Sequence, residues 1–371
     1  MLVSPSSAAS NSEGTRSDQP GVIGSVKVNN NAPYSTGEYQ VSLNRIIENP
    51  TQRLDQIELF SDFTLGSSHL HFSYDIPYGD NGLFVGTHAS WMQYWIINEP
   101  SFSNSAGEAS NIGLHTRYPL LRDNTNSLTV SSTLDRNYYL NSKNAKIASD
   151  KTVNILNFGL SGDRIDTWGE GGISFASVFL KLGQLDLSGN AADLATDQSS
   201  AKKDGIFGKI LWKAQRLQKL NETTQLWLSI NGQLASKNLD SSESFLLGGP
   251  AGVRAYPGME GAGDAGWLLS VEVRKTLQPK LILAGFYDHG YVAQHTNNWS
   301  GWNASNTSQP SAYSLKGSGV SLTWNEKGNY SAKIVYAHRL GDNPLAEVGT
   351  GNDADNSHVL NRLWLNYEKY W

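Results

Sequence analysis

Alternation with a period of two runs through most of this chain, and no stretch sustains the 3.6-residue period of an amphipathic helix. Successive side chains of a strand point to opposite faces, so such segments read as strands with two different sides. In His69-Leu70-His71-Phe72-Ser73-Tyr74-Asp75-Ile76-Pro77-Tyr78 one face carries Leu, Phe, Tyr, Ile and Tyr. The other carries His, His, Ser, Asp and Pro. Residues 83–91, 128–130, 172–180, 317–324 and 330–337 continue the theme. A sandwich in water and a barrel in a membrane produce the same alternation with inside and outside exchanged. Segments near the ~9–11 residues of a transmembrane strand, ending in tyrosine or tryptophan, favour the barrel. Leu70, Phe72, Tyr74 and Ile76 are then expected to face lipid, and His71, Ser73 and Asp75 the lumen.

Composition agrees. The chain of 371 residues holds 16 Tyr and 11 Trp against 11 Phe, the bias that a water–lipid boundary selects. No apolar run approaches the ~20 residues of a membrane helix. A net charge of −5 argues against a nucleic-acid surface, which would be basic. The absence of cysteine excludes disulfides and thiolate metal sites.

One segment breaks the strand pattern. Residues 245–266 contain seven glycines, Arg254 and Tyr256, between alternating flanks at 225–235 and 267–274. A loop this long is entropically costly and is rarely kept without a use. Its end, Gly261-Ala-Gly263-Asp-Ala-Gly266, formally matches a dinucleotide fingerprint, which works only where a helix leaves the loop. Here the exit places Trp267, Leu269, Val271 and Val273 opposite Ser270, Glu272 and Arg274, which is a strand. Nucleotide binding is set aside.

The C-terminus sharpens the membrane reading. Leu363, Leu365, Tyr367, Lys369 and Trp371 share one face, and the chain closes on tryptophan. This is similar to the terminal-strand signal that bacterial assembly machinery reads in outer-membrane barrels. Lys369 departs from the apolar pattern, but near the membrane edge its stem can lie on lipid while the ammonium reaches water. Residues 1–24 are polar and non-periodic, without the basic start and apolar stretch of a signal peptide. They read as a disordered leader before a barrel domain at 25–371, with the export signal outside this chain.

With these residues in view, the chain resembles the TpsB family, the outer-membrane transporters of two-partner (type V) secretion. The resemblance runs from about residue 25 to 371. It rests on Val26-Lys-Val-Asn-Asn-Asn31, Ser35-Thr-Gly-Glu-Tyr-Gln40, Tyr74-Asp-Ile-Pro-Tyr-Gly79, Gly232-Gln-Leu-Ala235 and Leu239-Asp-Ser-Ser-Glu-Ser-Phe245. Its most specific features are a VRGY-type loop motif, here Val253-Arg254-Ala255-Tyr256, and an FxDxG wall motif, here Phe286, Asp288 and Gly290. The resemblance implies an all-β transmembrane antiparallel barrel of sixteen strands with the long loop folded into the lumen. It also implies an Arg254–Asp288 salt bridge, with Tyr256 helping to seat the loop tip. Ala255 replaces the commoner glycine, so a left-handed backbone there would be strained. Two POTRA domains precede the barrel in that family, and residues 1–24 can hold neither.

The function so implied is a protein-conducting pore that passes a TpsA-like partner polypeptide outward through the bacterial outer membrane. Its other partners would be outer-membrane lipid and the barrel assembly machinery. A barrel insertase, or a passive porin or structural barrel, are the alternatives. No cofactor is expected, and no nucleophile–histidine–carboxylate or HExxH pattern suggests an enzyme. His69 and His71 share a face and could begin a metal site, but they lack a third ligand at useful spacing and read as lumen-lining residues. Glu260 and Asp264 read as solvating groups of a polar loop.

Overall fold

The computed structural model describes residues 21–98, 104–304 and 307–371. Sixteen strands form one closed antiparallel barrel. The first eight are β1 (Gly21–Asn29), β2 (Gln40–Glu48), β3 (Gln56–Phe63), β4 (Ser67–Tyr78), β5 (Leu83–Trp95), β6 (Ser105–Arg122), β7 (Asn126–Lys143) and β8 (Lys146–Asp166). The rest are β9 (Gly172–Asp186), β10 (Gly205–Lys219), β11 (Thr224–Ala235), β12 (Ala265–Gln278), β13 (Leu281–Ala293), β14 (Ala312–Glu326), β15 (Tyr330–Arg339) and β16 (Asn361–Tyr370).

Two boundaries differ from the sequence reading. The barrel begins at Gly21 rather than residue 25, because Gly21–Gly24 already pair with Glu48–Arg45 of β2. Of the expected disordered leader, residues 1–20 lie outside the described residues. Ser35-Thr-Gly-Glu-Tyr39 belongs to a connection with a single 3-10 turn, Tyr34–Thr36, and not to a strand. Strand length differs as well: β3 has 8 residues and β8 has 21, well beyond the width of a membrane. The long β6–β8 hairpins carry their ladders past the hydrocarbon with polar cross-strand contacts such as Ser142 Oγ donating to Ala106 O at 3.3 Å.

Turns alternate in length. One end has short connections, including residues 79–82, 220–223 and 279–280. The other has long ones, including 187–204, 236–264 and 340–360. In membrane barrels the long loops face the cell exterior, which places both described ends of the chain on the inner side. Leu70 and Phe72 project outward, while Ser73 is buried on the lumen face. Asp75 also points inward, where its Oδ1 meets His115 Nε2 at 3.1 Å. Among the described residues no helix is long and apolar enough to cross a membrane; this chain crosses with strands.

Closure occurs where β1 meets β16, over the shortest ladder of the barrel, Ser25–Asn29 against Asn366–Tyr370. Side chains reinforce it. Ser25 Oγ donates to Glu368 Oε1 at 2.8 Å, and Asn30 Oδ1 accepts from the Leu365 N–H at 2.7 Å. Trp371 extends the seam beyond the ladder, because Gly24 and Trp371 exchange backbone hydrogen bonds of 3.0 and 3.1 Å. The indole lies over Gly24, where any side chain would overlap it. Deleting Trp371 should therefore lower the yield of closed barrel, and Gly24→Val should do the same through the opposite partner. Heat-modifiable gel mobility after membrane assembly reads both, and undiminished folded yield in the two variants would dismiss this role for the seam.

Candidate functional site

The 236–264 connection folds into the barrel and closes on itself before it meets the wall. A two-residue ladder pairs Phe245 and Leu246 with Gly263 and Ala262. Beyond it the backbone turns tightly: the Val253 N–H donates to Leu247 O at 2.7 Å, the Tyr256 N–H to Val253 O at 3.1 Å, and the Gly249 N–H to Tyr256 O at 3.1 Å. These bonds satisfy polar backbone that would otherwise be stranded. Ala255 is not left-handed, so the strain considered for a non-glycine residue there is absent. Its methyl instead occupies space that the bare Gly317 of β14 leaves open.

At the tip, Val253, Ala255 and Tyr256 are fully buried. Arg254 reaches the wall. Its Nε donates to Asp288 Oδ2 at 2.8 Å, its Nη2 to Asp288 Oδ1 at 2.7 Å, and its backbone N–H to Asp288 Oδ2 at 3.2 Å. The guanidinium fork matches the two oxygens of one carboxylate. Its remaining arm, Nη1, donates to Glu272 Oε1 at 2.6 Å. The cation also lies 3.5 Å from the centre of the Phe286 ring, a cation–π contact.

The wall motif works through strand periodicity. Phe286, Asp288 and Gly290 sit at i, i+2 and i+4 of β13, hence on one face. Phe286 supplies the ring and Asp288, 0% exposed, the carboxylate. Gly290 leaves room for the Leu247 side chain. The neighbouring strand completes the site, because Ser270 pairs with Asp288 and Glu272 with Phe286. Ser270 Oγ then donates to Asp288 Oδ1 at 2.9 Å. Glu272 is shared with Arg274, whose Nη2 stands 2.6 Å from Oε2.

Sequence reading missed several members. Trp364 of β16 points inward and donates from Nε1 to the Arg254 carbonyl at 2.8 Å. Its signal was available: it alternates with the outward Leu363 and Leu365. Arg339 of β15 lies 4.4 Å over the Tyr256 ring. Glu272 and Ser270 could be named only once register was known. Among the terminal-strand residues, Leu363, Leu365, Tyr367 and Trp371 are exposed on the outer wall and take no part in the lumen site.

Glu260 and Asp264 overturn the reading of solvating loop acids, since each is only 2% exposed. Asp264 accepts from the Leu239 N–H at 3.0 Å and the Thr296 N–H at 2.7 Å, tying the loop root to the 294–311 connection. Glu260 Oε2 accepts from the Ala354 N–H at 2.8 Å, tying it to the 340–360 connection. His69 and His71 stay apart from this site. His69 Nδ1 meets Asp62 at 3.0 Å, and among the described residues no three such side chains converge on a metal position.

A model of the family described as "Haemolysin secretion/activation protein ShlB/FhaC/HecB" matches residues 15–316. The chain belongs to that family. A curated relative, the heme/hemopexin transporter protein HuxB of Haemophilus influenzae (strain 86-028NP), is 24% identical over 330 residues, covering 86% of this chain and 56% of the relative. The chain thus spans about half the length of the curated relatives it matches. In fold it is similar to CdiB from Escherichia coli, with a TM-score of 0.75 at 18% identity, over 94% of this chain and 63% of that one. It is also similar to BamA from Haemophilus ducreyi lacking POTRA domains 1-3, with a TM-score of 0.62 at 12% identity, over 95% and 70%.

The buried loop acid yields a pH prediction. Burial raises the Glu260 carboxyl above the ordinary 4.5, against the pull of the Ala354 N–H. A carboxyl raised in the fold stabilises below its unfolded value, and that contribution is lost as pH rises through the folded one. The Glu260–Ala354 tie should therefore hold best in mild acid and loosen toward neutrality. Glu260→Gln keeps an acceptor without a desolvated charge and should flatten the dependence. Hydrogen-exchange protection at Ala354, followed from about pH 4 to 8, checks this; an unaltered slope in the variant would place the sensitivity elsewhere.

Proposed function

We propose that this barrel is the conducting half of an outer-membrane secretion device, passing a partner polypeptide outward in extended form. The observation that carries the reading is the loop tip clamped to the lumen wall by Arg254. A pore that needs a fixed constriction can build one from any ordered loop. A loop whose tip is latched by a small set of contacts centred on Arg254 has a defined release point, which suits a channel that must open for cargo.

Membership of a secretion and activation family favours transport of a protein over the insertase alternative. The likeness to BamA is one of fold alone. We assign no catalytic residue. Capture of the cargo is assigned to periplasmic domains outside this chain, in keeping with the longer relatives. Outer-membrane lipid and the barrel assembly machinery are the remaining proposed partners. Outward movement is assigned to cargo folding at the cell surface, as the family resemblance implies.

The test is a double-mutant cycle at the clamp. Removing one member of a buried pair leaves the other uncompensated and costs about 3–5 kcal/mol, less where lumen water reaches it. Arg254→Ala and Asp288→Ala should each leave the barrel folded, raise single-channel conductance in planar bilayers, and reduce transport by a form of the protein carrying its periplasmic domains. The double variant should be no worse than either single one, because the two residues act as a unit. Glu272→Gln should be milder, since Asp288 still holds two arms of the guanidinium. Additive losses in the double variant, or unchanged conductance in all three, would reject the clamp as a gate.

A further inference from the structure

The outer wall carries a groove of about 600 Å³ that crosses β2 to β5 near the closure seam. Its line follows the strand register: Arg45 of β2 pairs with Leu59 of β3, Leu59 with Phe72 of β4, and Phe72 with Ala89 of β5. Trp371 stands at one end and Trp91 flanks the other. Leu59, Phe72, Trp91 and Trp371 are exposed large apolar side chains, as a lipid-facing wall requires. Ala89 is the small residue of the row and deepens the trough.

Arg45 does not fit that wall by itself. It stands two residues from the outward Leu43 and shares its face, so its guanidinium leaves the strand on the lipid side. No hydrogen bond, ion pair or ring contact engages it among the described residues. An unpaired cation at the foot of an apolar trough complements a ligand with one anionic head and a long apolar tail.

Height selects the leaflet. Arg45 lies three residues from Glu48, at the inner end of β2, whereas Ala89 lies six from Leu83, at the inner end of β5. The row therefore climbs from the periplasmic rim toward the middle of the membrane. Three strand spacings of ~4.8 Å span about 14 Å. At a strand tilt of ~40° that is a rise of about 9 Å, inside the ~15 Å half-thickness of the hydrocarbon core. Trp371, an interfacial residue type, sits at the same low end.

We propose that this groove binds one glycerophospholipid of the periplasmic leaflet, its phosphate held by Arg45 and an acyl chain lying along Leu59, Phe72 and Ala89. The guanidinium fork suits a phosphate, which offers paired oxygens. The site lies on the opposite face of the wall from the lumen clamp and is independent of what the pore carries. The lipid would bridge β2 to β5 beside the shortest ladder of the barrel and brace the strands next to the seam.

Native mass spectrometry of the barrel, extracted from membranes in mild detergent, tests the site. Wild-type protein should retain one phospholipid mass, and delipidated protein should rebind phosphatidylglycerol or phosphatidylethanolamine but not diacylglycerol, which lacks the phosphate. Arg45→Leu should lower occupancy about tenfold, the equivalent of one good charged contact, and Arg45→Lys should restore part of it. Ala89→Trp should block the trough while leaving the cation in place, with heat-modifiable mobility showing that each variant is folded. Equal retention of diacylglycerol, undiminished occupancy in folded Arg45→Leu or Ala89→Trp, or lipid A as the retained mass would overturn the proposal.

Discussion

A chain crossing hydrocarbon must pair every backbone N–H and C=O with itself, and for strands that is possible only in a closed ring. Most of what this molecule does structurally answers that demand. The β1–β16 ladder is short, yet it completes the ring, and Ser25, Asn30 and Trp371 each add bonds there. Closure also creates an inside. Residues that would be solvent-facing on an open sheet become the lining of a confined space, where a charge is neither fully hydrated nor buried in protein. The loop that enters this space brings polar backbone and a cation with it, and both must be satisfied against the wall.

The satisfaction takes the same form three times. At the tip, Arg254 and Arg274 meet Glu272 and Asp288. At the root, Lys151 and Lys209 meet Asp240 and Glu243, with ion-pair distances of 2.7 Å for each lysine. On the outer side, Arg339 and Arg362 meet Asp353 and Asp355. The root also holds Lys181, whose Nζ lies 3.8 Å from Glu243, so in each group every paired cation faces a carboxylate. A charge confined without a partner would draw in counter-ions or shift its protonation, so pairing is what a confined charge requires. Such clusters add little net stability because desolvation offsets attraction. They specify position, and position is what a loop inside a wide barrel lacks.

How much of this could be seen in the sequence depends on which period carried it. Strand alternation is local, so the barrel and the outward faces of Leu70, Phe72, Leu363 and Leu365 were legible from a few residues at a time. Motif resemblance supplied Arg254 and Asp288, which stand 34 residues apart and which no local rule connects. Glu272 was invisible because its place beside Asp288 follows from the β12–β13 register, and alternation fixes a face without fixing a register. Glu260 and Asp264 were misjudged for a different reason. Acids in a glycine-rich loop are usually solvated, and only the folding-in of the loop turns them into acceptors for backbone N–H groups of two other connections. The strand start at Gly21 was hidden by glycine and serine composition, which reads as leader when no partner strand is in view.

The three clusters also define what part of the loop is free to move. The root is bound to β8 and β10 through Asp240 and Glu243, and to β11 through Gln233, whose Nε2 donates to Glu243 O at 3.0 Å and Asp264 O at 3.1 Å. Phe245–Leu246 and Ala262–Gly263 then hold the two stems together. None of these contacts involves the tip. Withdrawing the tip requires losing the Arg254 pair, the Trp364 bond to its carbonyl and the Arg339–Tyr256 contact, all of which lie on β12 to β16. The contacts thus mark residues 247–261 as one unit, latched to one side of the barrel above a root anchored to the other. The Glu260 tie lies inside that unit, so a tip that swings must also release the 340–360 connection at Ala354.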